Sequence, residues 1–271
     1  MPLIPLNGTR LHVEDTGGAL PAIVFSHGLL WSTRLFHKQV EALQGRYRCI
    51  SYDHRGQGRS DVPGGSAIGM ETLYEDALAL IERMRIAPCH FVGLSMGGFV
   101  GMRVAARRPD LLKSLTLMET SADPEPTANL PRYRLLNLGA RFIGINLVTS
   151  PVMNIMFGKT FLKDPARKAD RKEWTGELKK NKRSIWRAVN GVIQRDGVAE
   201  EIRDITAPTL IVVGEEDVPT PPIKAEMIHA RIATSRLVRI PGAGHSSTVE
   251  QPALVNEALG GFLDSVESTA R

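Results

Sequence analysis

The 271-residue sequence predicts an α/β fold in which a mainly parallel sheet is covered by helices on both faces. Three observations carry this. Short, unalternated apolar runs such as Ala22-Ile23-Val24-Phe25 and Leu210-Ile211-Val212-Val213 read as strands buried on both sides. These runs alternate with amphipathic stretches, the rhythm of strand–helix–strand units. The glycine-flanked pentapeptide Gly93-Leu94-Ser95-Met96-Gly97 lies where the run Cys89 to Val92 gives way to a helical pattern.

In chain order, residues 3–6 and 11–14 predict two short strands around an Asn7-Gly8 turn, a strong hairpin signal. Residues 22–25 form the third strand, 35–43 a helix and 47–52 the fourth strand. Residues 71–84 read as an amphipathic helix, with Leu73, Ala77, Leu80 and Ile81 on one face. Strand 89–93, helix 97–107 and strand 115–118 follow. The rhythm then breaks. Residues 121–205 open with Pro124, Pro126 and Pro131, and helical patterns follow near 132–143, 151–157, 166–180 and 182–195. This segment is expected to be a helical cap. It would be inserted into a single core made of residues 1–120 and 206–271. Strand 209–214, helix 221–230, strand 236–240 and helix 252–266 complete the core.

A hydrophobic content of 42% supplies one large core. No apolar run approaches the roughly 18 residues of a membrane span, and residues 1–8 lack the pattern of a secretory signal, so a cytoplasmic protein is expected. Cys49 and Cys89 fall in or beside strands and read as reduced core thiols; they do not support a metal site. The formal net charge is +5, and residues 159–187 alone hold 11 Lys or Arg against 4 Asp or Glu. Those charges are interleaved with acids and with Trp174 and Trp186, as on solvated helix faces, which argues against a nucleic-acid partner. Attraction of anionic substrates is a weaker reading of the same charges.

A Gly-x-Ser-x-Gly turn between strand and helix lifts a serine above the sheet edge, at a helix N-terminus that favours developing negative charge. Serine is a weak nucleophile and needs a base and an orienting acid. His245 follows strand 236–240 in Gly242-Ala243-Gly244-His245, and Asp217 follows strand 209–214. Both lie at the same sheet edge as Ser95. Glu215 and Glu216 compete with Asp217, and Glu119 is a fallback acid at the end of strand 115–118. Two backbone amides must receive the oxyanion. One belongs to Met96, after the nucleophile; the other is expected from Leu29, in the loop after strand 22–25. His27 reads as a hydrogen-bonding structural residue, not a base.

These landmarks, with the Asp53-x-Arg55-Gly56-x-Gly58-x-Ser60 turn, give the chain a resemblance to the α/β-hydrolases. Gly93 to Gly98 and the stretch Gly244 to Pro252 are similar to those of bacterial arylesterases, 3-oxoadipate enol-lactonases and cofactor-free haloperoxidases. Serine at the turn separates the chain from epoxide hydrolases and haloalkane dehalogenases, which place aspartate there. The expected function is hydrolysis of carboxylic esters of small to medium acyl chain through an acyl-enzyme on Ser95, with no cofactor and no metal. A lactonase or C–C bond hydrolase using the same triad is the alternative enzyme, and a non-turnover ligand receptor is the alternative class. The expected partner is a small-molecule ester or lactone, with a homodimer left open. The substrate pocket is expected between sheet edge and cap, lined by Phe142, Ile143, Met153, Met156, Phe157 and Trp186.

Overall fold

The computed structural model describes residues 3–269. β1 (Leu3–Leu6) and β2 (Thr9–Asp15) form the predicted hairpin, with Asn7 and Gly8 both at positive φ as the tight turn requires. β3 (Ala22–Ser26), α1 (His37–Leu43), β4 (Arg48–Tyr52), α2 (Met70–Met84), β5 (Cys89–Leu94), α3 (Met96–Arg107) and β6 (Leu112–Met118) follow. Then come α4 (Leu130–Phe142), α5 (Ile145–Met156), α6 (Lys159–Lys163), α7 (Lys168–Lys179) and α8 (Trp186–Ile193). The chain closes with β7 (Thr209–Gly214), α9 (Pro222–His229), β8 (Ser235–Ile240), α10 (Ser247–Glu250) and α11 (Pro252–Thr269).

The eight strands form one sheet in the order β1-β2-β4-β3-β5-β6-β7-β8. β1, β2 and β4 pair antiparallel, and every pair from β4 onward is parallel. Successive strand residues point to opposite faces. Val24, Phe91, Ile211 and Val213 join the apolar layer beneath α2, α3 and α9. Ile23, Phe25, Val92, Leu94, Leu210 and Val212 join the layer on the other side, with residues of α1 and α11. Both faces are therefore buried, and that is why the strands read as unbroken apolar runs.

β3 leads to β4 on one side of the sheet, while β5 to β8 step away on the other. The crevice above the carboxyl ends of β3 and β5 is thus a topological switch point, where open sheets of this kind place their ligands. β6 and β7 are adjacent, yet residues 119–208 separate them and carry α4 to α8. Boundaries differ from expectation by two or three residues at several elements, and by more at α5. β6 starts at Leu112 and not at 115. α5 starts at Ile145, so Pro151 lies inside that helix although it reads as a helix start. The sequence predicts neither α6 nor α10; at five and four residues they are too short to show a period.

Arg103 fastens this segment to the sheet layer. It is only 2% exposed, and it donates to Glu71 Oε1 (2.8 Å) on α2, to the Phe99 carbonyl (3.0 Å) and to the Asp196 carbonyl (3.0 Å) beyond α8. Arg103→Met keeps the apolar stem and removes all three donors. Urea denaturation is expected to show a loss of about 2–3 kcal/mol, and a change below 0.5 kcal/mol would contradict the role assigned to it.

Candidate active site

The site begins with a backbone that cannot relax. Ser95 joins β5 to α3 at φ +53° and ψ −111°. Three bonds hold it there: its N–H donates to the Met118 carbonyl (2.8 Å), and its carbonyl accepts from Phe99 N–H (3.0 Å) and Thr120 Oγ1 (2.9 Å). The flanking glycines have a steric cause. A Cβ on Gly97 would lie 1.9 Å from the Ser26 carbonyl oxygen, and one on Gly93 would lie 2.3 Å from that of Gly97. Strand, turn and helix pass too close for any side chain.

His245, from the loop after β8, places Nε2 2.9 Å from Ser95 Oγ. Its Nδ1 is 3.0 Å from each carboxylate oxygen of Asp217, from the loop after β7. An ionised carboxylate only accepts, so Nδ1 carries the proton and Nε2 is free to accept from the serine hydroxyl. Asp217 is itself held by Thr220, whose N–H (3.1 Å) and Oγ1 (2.8 Å) donate to its two oxygens. All three residues are buried. Glu119 does not reach the imidazole. Its Oε1 accepts from Gly214 N–H (3.1 Å), and complete burial holds its carboxyl well above the ordinary value.

The loop after β3 is braced from beneath. His27 Nδ1–H donates to the Gly28 carbonyl (2.7 Å), and its Nε2 accepts from His54 N–H (3.0 Å). Burial lowers the pKa of this ring, so it stays neutral with both nitrogens satisfied. Leu30 N–H donates to Gln57 Oε1 (2.7 Å), while Gln57 Nε2 lies 3.7 Å from Met96 Sδ. Gln57 therefore spans the two places from which oxyanion donors are expected. The amide of Met96 opens α3, where a helix leaves its first N–H groups without intrahelical partners. The amide of Leu29 has no protein acceptor among the described residues. Sequence reading named the turn that holds Gln57 but not Gln57 itself. Nothing local distinguishes that glutamine from a solvated one.

A cavity of about 130 Å³ adjoins Ser95 and His245. Its walls are apolar: Leu29 and Phe99 from the sheet domain, Leu136 and Ala140 from α4, Val152 and Met156 from α5, and Val189 and Val192 from α8. Of the six residues expected there, Met156 is on the wall. Phe142 and Ile143 are 65% and 64% exposed. On α4 the cavity face is Tyr133, Leu136, Asn137 and Ala140, and Phe142 lies roughly 200° further round from Ala140. Met153 is buried in the core behind the wall. Phe157 stacks on Phe161 (4.7 Å between centroids) and meets Trp31 edge-on (5.8 Å). Trp186 carries the guanidinium groups of Arg141 and Arg187, 4.1 and 5.3 Å from its ring centroid. Among the described residues, no group of three His, Cys, Asp or Glu is placed to hold a metal.

Residues 21–252 match a family described as alpha/beta hydrolase fold. A 3-oxoadipate enol-lactonase of Acinetobacter baylyi is 28% identical over 96% of this chain and 95% of its own length. The crystal structure of an enol-lactonase from Burkholderia xenovorans superposes with a TM-score of 0.89 at 27% identity, covering 97% of this chain and all of that one. A thermophilic esterase from Thermogutta terrifontis superposes with a TM-score of 0.87 at 27% identity, covering 95% and 94% of the two chains. Among the described residues no helix is long and apolar enough to cross a membrane.

Two outcomes test this geometry. Backbone strain of about 1–3 kcal/mol at Ser95, set against the entropy cost of glycine of roughly 0.5–1 kcal/mol, predicts that Ser95→Gly stabilises the protein by about 1 kcal/mol. Ser95→Ala should give no such gain, and equal denaturation midpoints for the two variants would refute the strain. Burial also holds His54 well below its ordinary 6.5, so only the unfolded chain binds that proton on acidification. The stability that neutral His54 contributes is lost as pH falls below 6.5. His54→Phe should therefore lose less stability than the parent between pH 7 and pH 5, as read by urea titration at each pH.

Proposed function

Because the chain belongs to the α/β-hydrolase fold family, we propose that it is a serine hydrolase that cleaves carboxylic esters of short to medium acyl chain. The observation that carries this reading is the hydrogen-bonded series Ser95 Oγ, His245 Nε2, His245 Nδ1 and Asp217, set at the mouth of an apolar cavity. Ser95 Oγ attacks the ester carbonyl as its proton passes to His245 Nε2. The negative charge that develops on the carbonyl oxygen is met by the amides of Leu29 and Met96. Asp217 holds the ring in the required tautomer and stabilises the imidazolium. His245 then protonates the departing alcohol, leaving an acyl group on Ser95. Water gives a proton to His245 as it attacks that acyl group. The acid departs and the proton returns to Ser95.

Residues 121–205 act in this reading as the cap over a core of 1–120 and 206–271, and the acyl group enters the cavity between them. A cavity of about 130 Å³ compares with the roughly 150 Å³ that accepts a benzene ring in an apolar protein interior. Acyl groups much larger than this must extend out of the cavity or displace the cap. The cavity wall also contains Arg195, but Glu125 lies 2.7 Å from it and Phe99 stacks on it, with its ring centroid 4.4 Å away. Its charge is already met, so the cavity favours neutral acyl groups. A lactone opens by the same steps, with the alcohol still tethered to the acid. The likeness to enol-lactonases supports this as the second reading.

Hydrolysis of a p-nitrophenyl ester series, from acetyl to long acyl chains, tests the proposal. Turnover should favour the short to medium esters. It should fall by about 10⁴–10⁶ in Ser95→Ala and in His245→Ala, and by about 10⁴ in Asp217→Asn. An ester whose acyl group ends in a carboxylate should react at least about tenfold more slowly than its neutral isostere, since burying an unpaired charge is costly. Unchanged turnover in Ser95→Ala overturns the mechanism. A single turnover followed by a large ligand-dependent rise in thermal stability identifies a receptor instead.

A further inference from the structure

The loops that carry Asp217 and His245 are not held by the sheet alone. Glu250, the last residue of α10, is 1% exposed, and its two oxygens accept three backbone N–H groups. Oε1 accepts from Gly244 (3.0 Å) and Ser246 (3.1 Å), the amides on either side of His245. Oε2 accepts from Gly158 (2.8 Å), between α5 and α6. Glu216, immediately before Asp217, reaches the same segment. Its Oε2 accepts from Thr160 N–H (2.8 Å) and its Oε1 from Thr160 Oγ1 (2.7 Å). The two loops are also joined to each other, by Glu216 N–H on the Ala243 carbonyl (2.8 Å). Arg167 completes the contact by donating to the carbonyls of Val249 and Glu250, both at 2.9 Å.

The approach is close enough to be a backbone-to-backbone contact. A Cβ on Gly244 would lie 2.2 Å from the Gly158 nitrogen. Burial pushes the Glu250 carboxyl up to about 7, so its place in the interior is not accounted for by cheap solvation. Three amides converging from two separate segments give it a geometric task.

We propose that Glu250 and Glu216 are positioning residues that clamp the His245 and Asp217 loops onto residues 158–160 of the helical segment, so that the seating of that segment sets the alignment of the imidazole on Ser95. The inference rests on the reading of Ser95, His245 and Asp217 given above. Neither glutamate touches the reacting atoms. Each acts by fixing peptides next to a residue that does. Substituting Glu250 by glutamine removes acceptor capacity, because the new NH₂ must face one of three N–H donors. Either the His245 loop or Gly158 is then released.

The test uses p-nitrophenyl acetate with the full-length protein. Glu250→Gln should lower kcat at least about tenfold with KM changed less than about threefold. On a His245→Ala background the same substitution should change the residual rate less than about twofold, because residues acting as a unit are non-additive. Glu216→Gln should lower kcat about threefold and lose its effect on an Asp217→Asn background, as expected for coupled residues. Thr160→Val, at an exposed site, should give a smaller fall in the same direction. If Glu250→Gln does not fold, as judged by circular dichroism, the Glu216 and Thr160 variants decide. Normal kcat in the folded variants overturns the clamp, and so does an equal loss with and without His245. If Ser95→Ala kills turnover while Glu250→Gln does not, only the clamp falls. If Ser95→Ala retains turnover, the parent reading falls and the clamp with it.

Discussion

The contact of Gly97 with the Ser26 carbonyl oxygen is the constraint on which the rest of this molecule depends. It lets α3 leave the end of β5 against the end of β3, at the point where the strand order changes direction. The same closeness leaves Ser95 no relaxed conformation, and its bonds to Met118, Phe99 and Thr120 keep it at positive φ. A serine so placed has its hydroxyl outside the backbone it strains. The loop after β3 and the start of α3 bring the amides of Leu29 and Met96 to one end, and the loops after β7 and β8 bring Asp217 and His245 to the other.

Around this turn the protein buries many polar groups, and hydrogen bonds satisfy most of them. Asp53, fully buried, accepts from the amides of Thr33 (2.7 Å) and Arg59 (2.8 Å). His27 and His54 are kept neutral by burial and support the loop that carries Leu29. Burial likewise raises the Glu119 carboxyl, whose Oε1 is taken by Gly214 N–H, and Asp217 is the carboxylate within hydrogen-bonding distance of the imidazole. The division between two nearby acids follows from environment: one has no solvent and few donors, whereas the other has Thr220 and His245.

The helical segment between β6 and β7 is bound to the sheet by apolar packing, with Phe157 and Trp174 against Trp31, and by polar ties at a few points. Arg103 holds its end, and Glu216, Glu250 and Arg167 hold its middle. Other apolar residues of α4, α5 and α8 line the cavity. A segment joined in this way borders the cavity and also rests directly on the loops that carry His245 and Asp217.

The strand pattern, the hairpin at Asn7–Gly8, the two-sided burial of the sheet and the turn at Ser95 were legible in the sequence, because each depends on neighbours within a few residues. Asp217, His245, Leu29 and Met96 were nameable because each follows a strand whose end the pattern located. The cavity lining was not legible. Apolar residues at helical spacing mark a buried face without saying what it is buried against, so Met156 lines the cavity while Phe157, one residue on, packs into an aromatic cluster. Phe142 and Ile143 look like pocket residues by composition and stand in solvent. Gln57 and Glu250 escaped notice because one bond of each, to the amides of Leu30 and Gly158, spans 27 and 92 residues. The sequence by itself determined the sheet and the serine turn, through local sterics and a hydrophobic period. Only the tertiary structure decided which side chains meet at the cavity and what holds the loops of Asp217 and His245, because those contacts join segments that no local pattern connects.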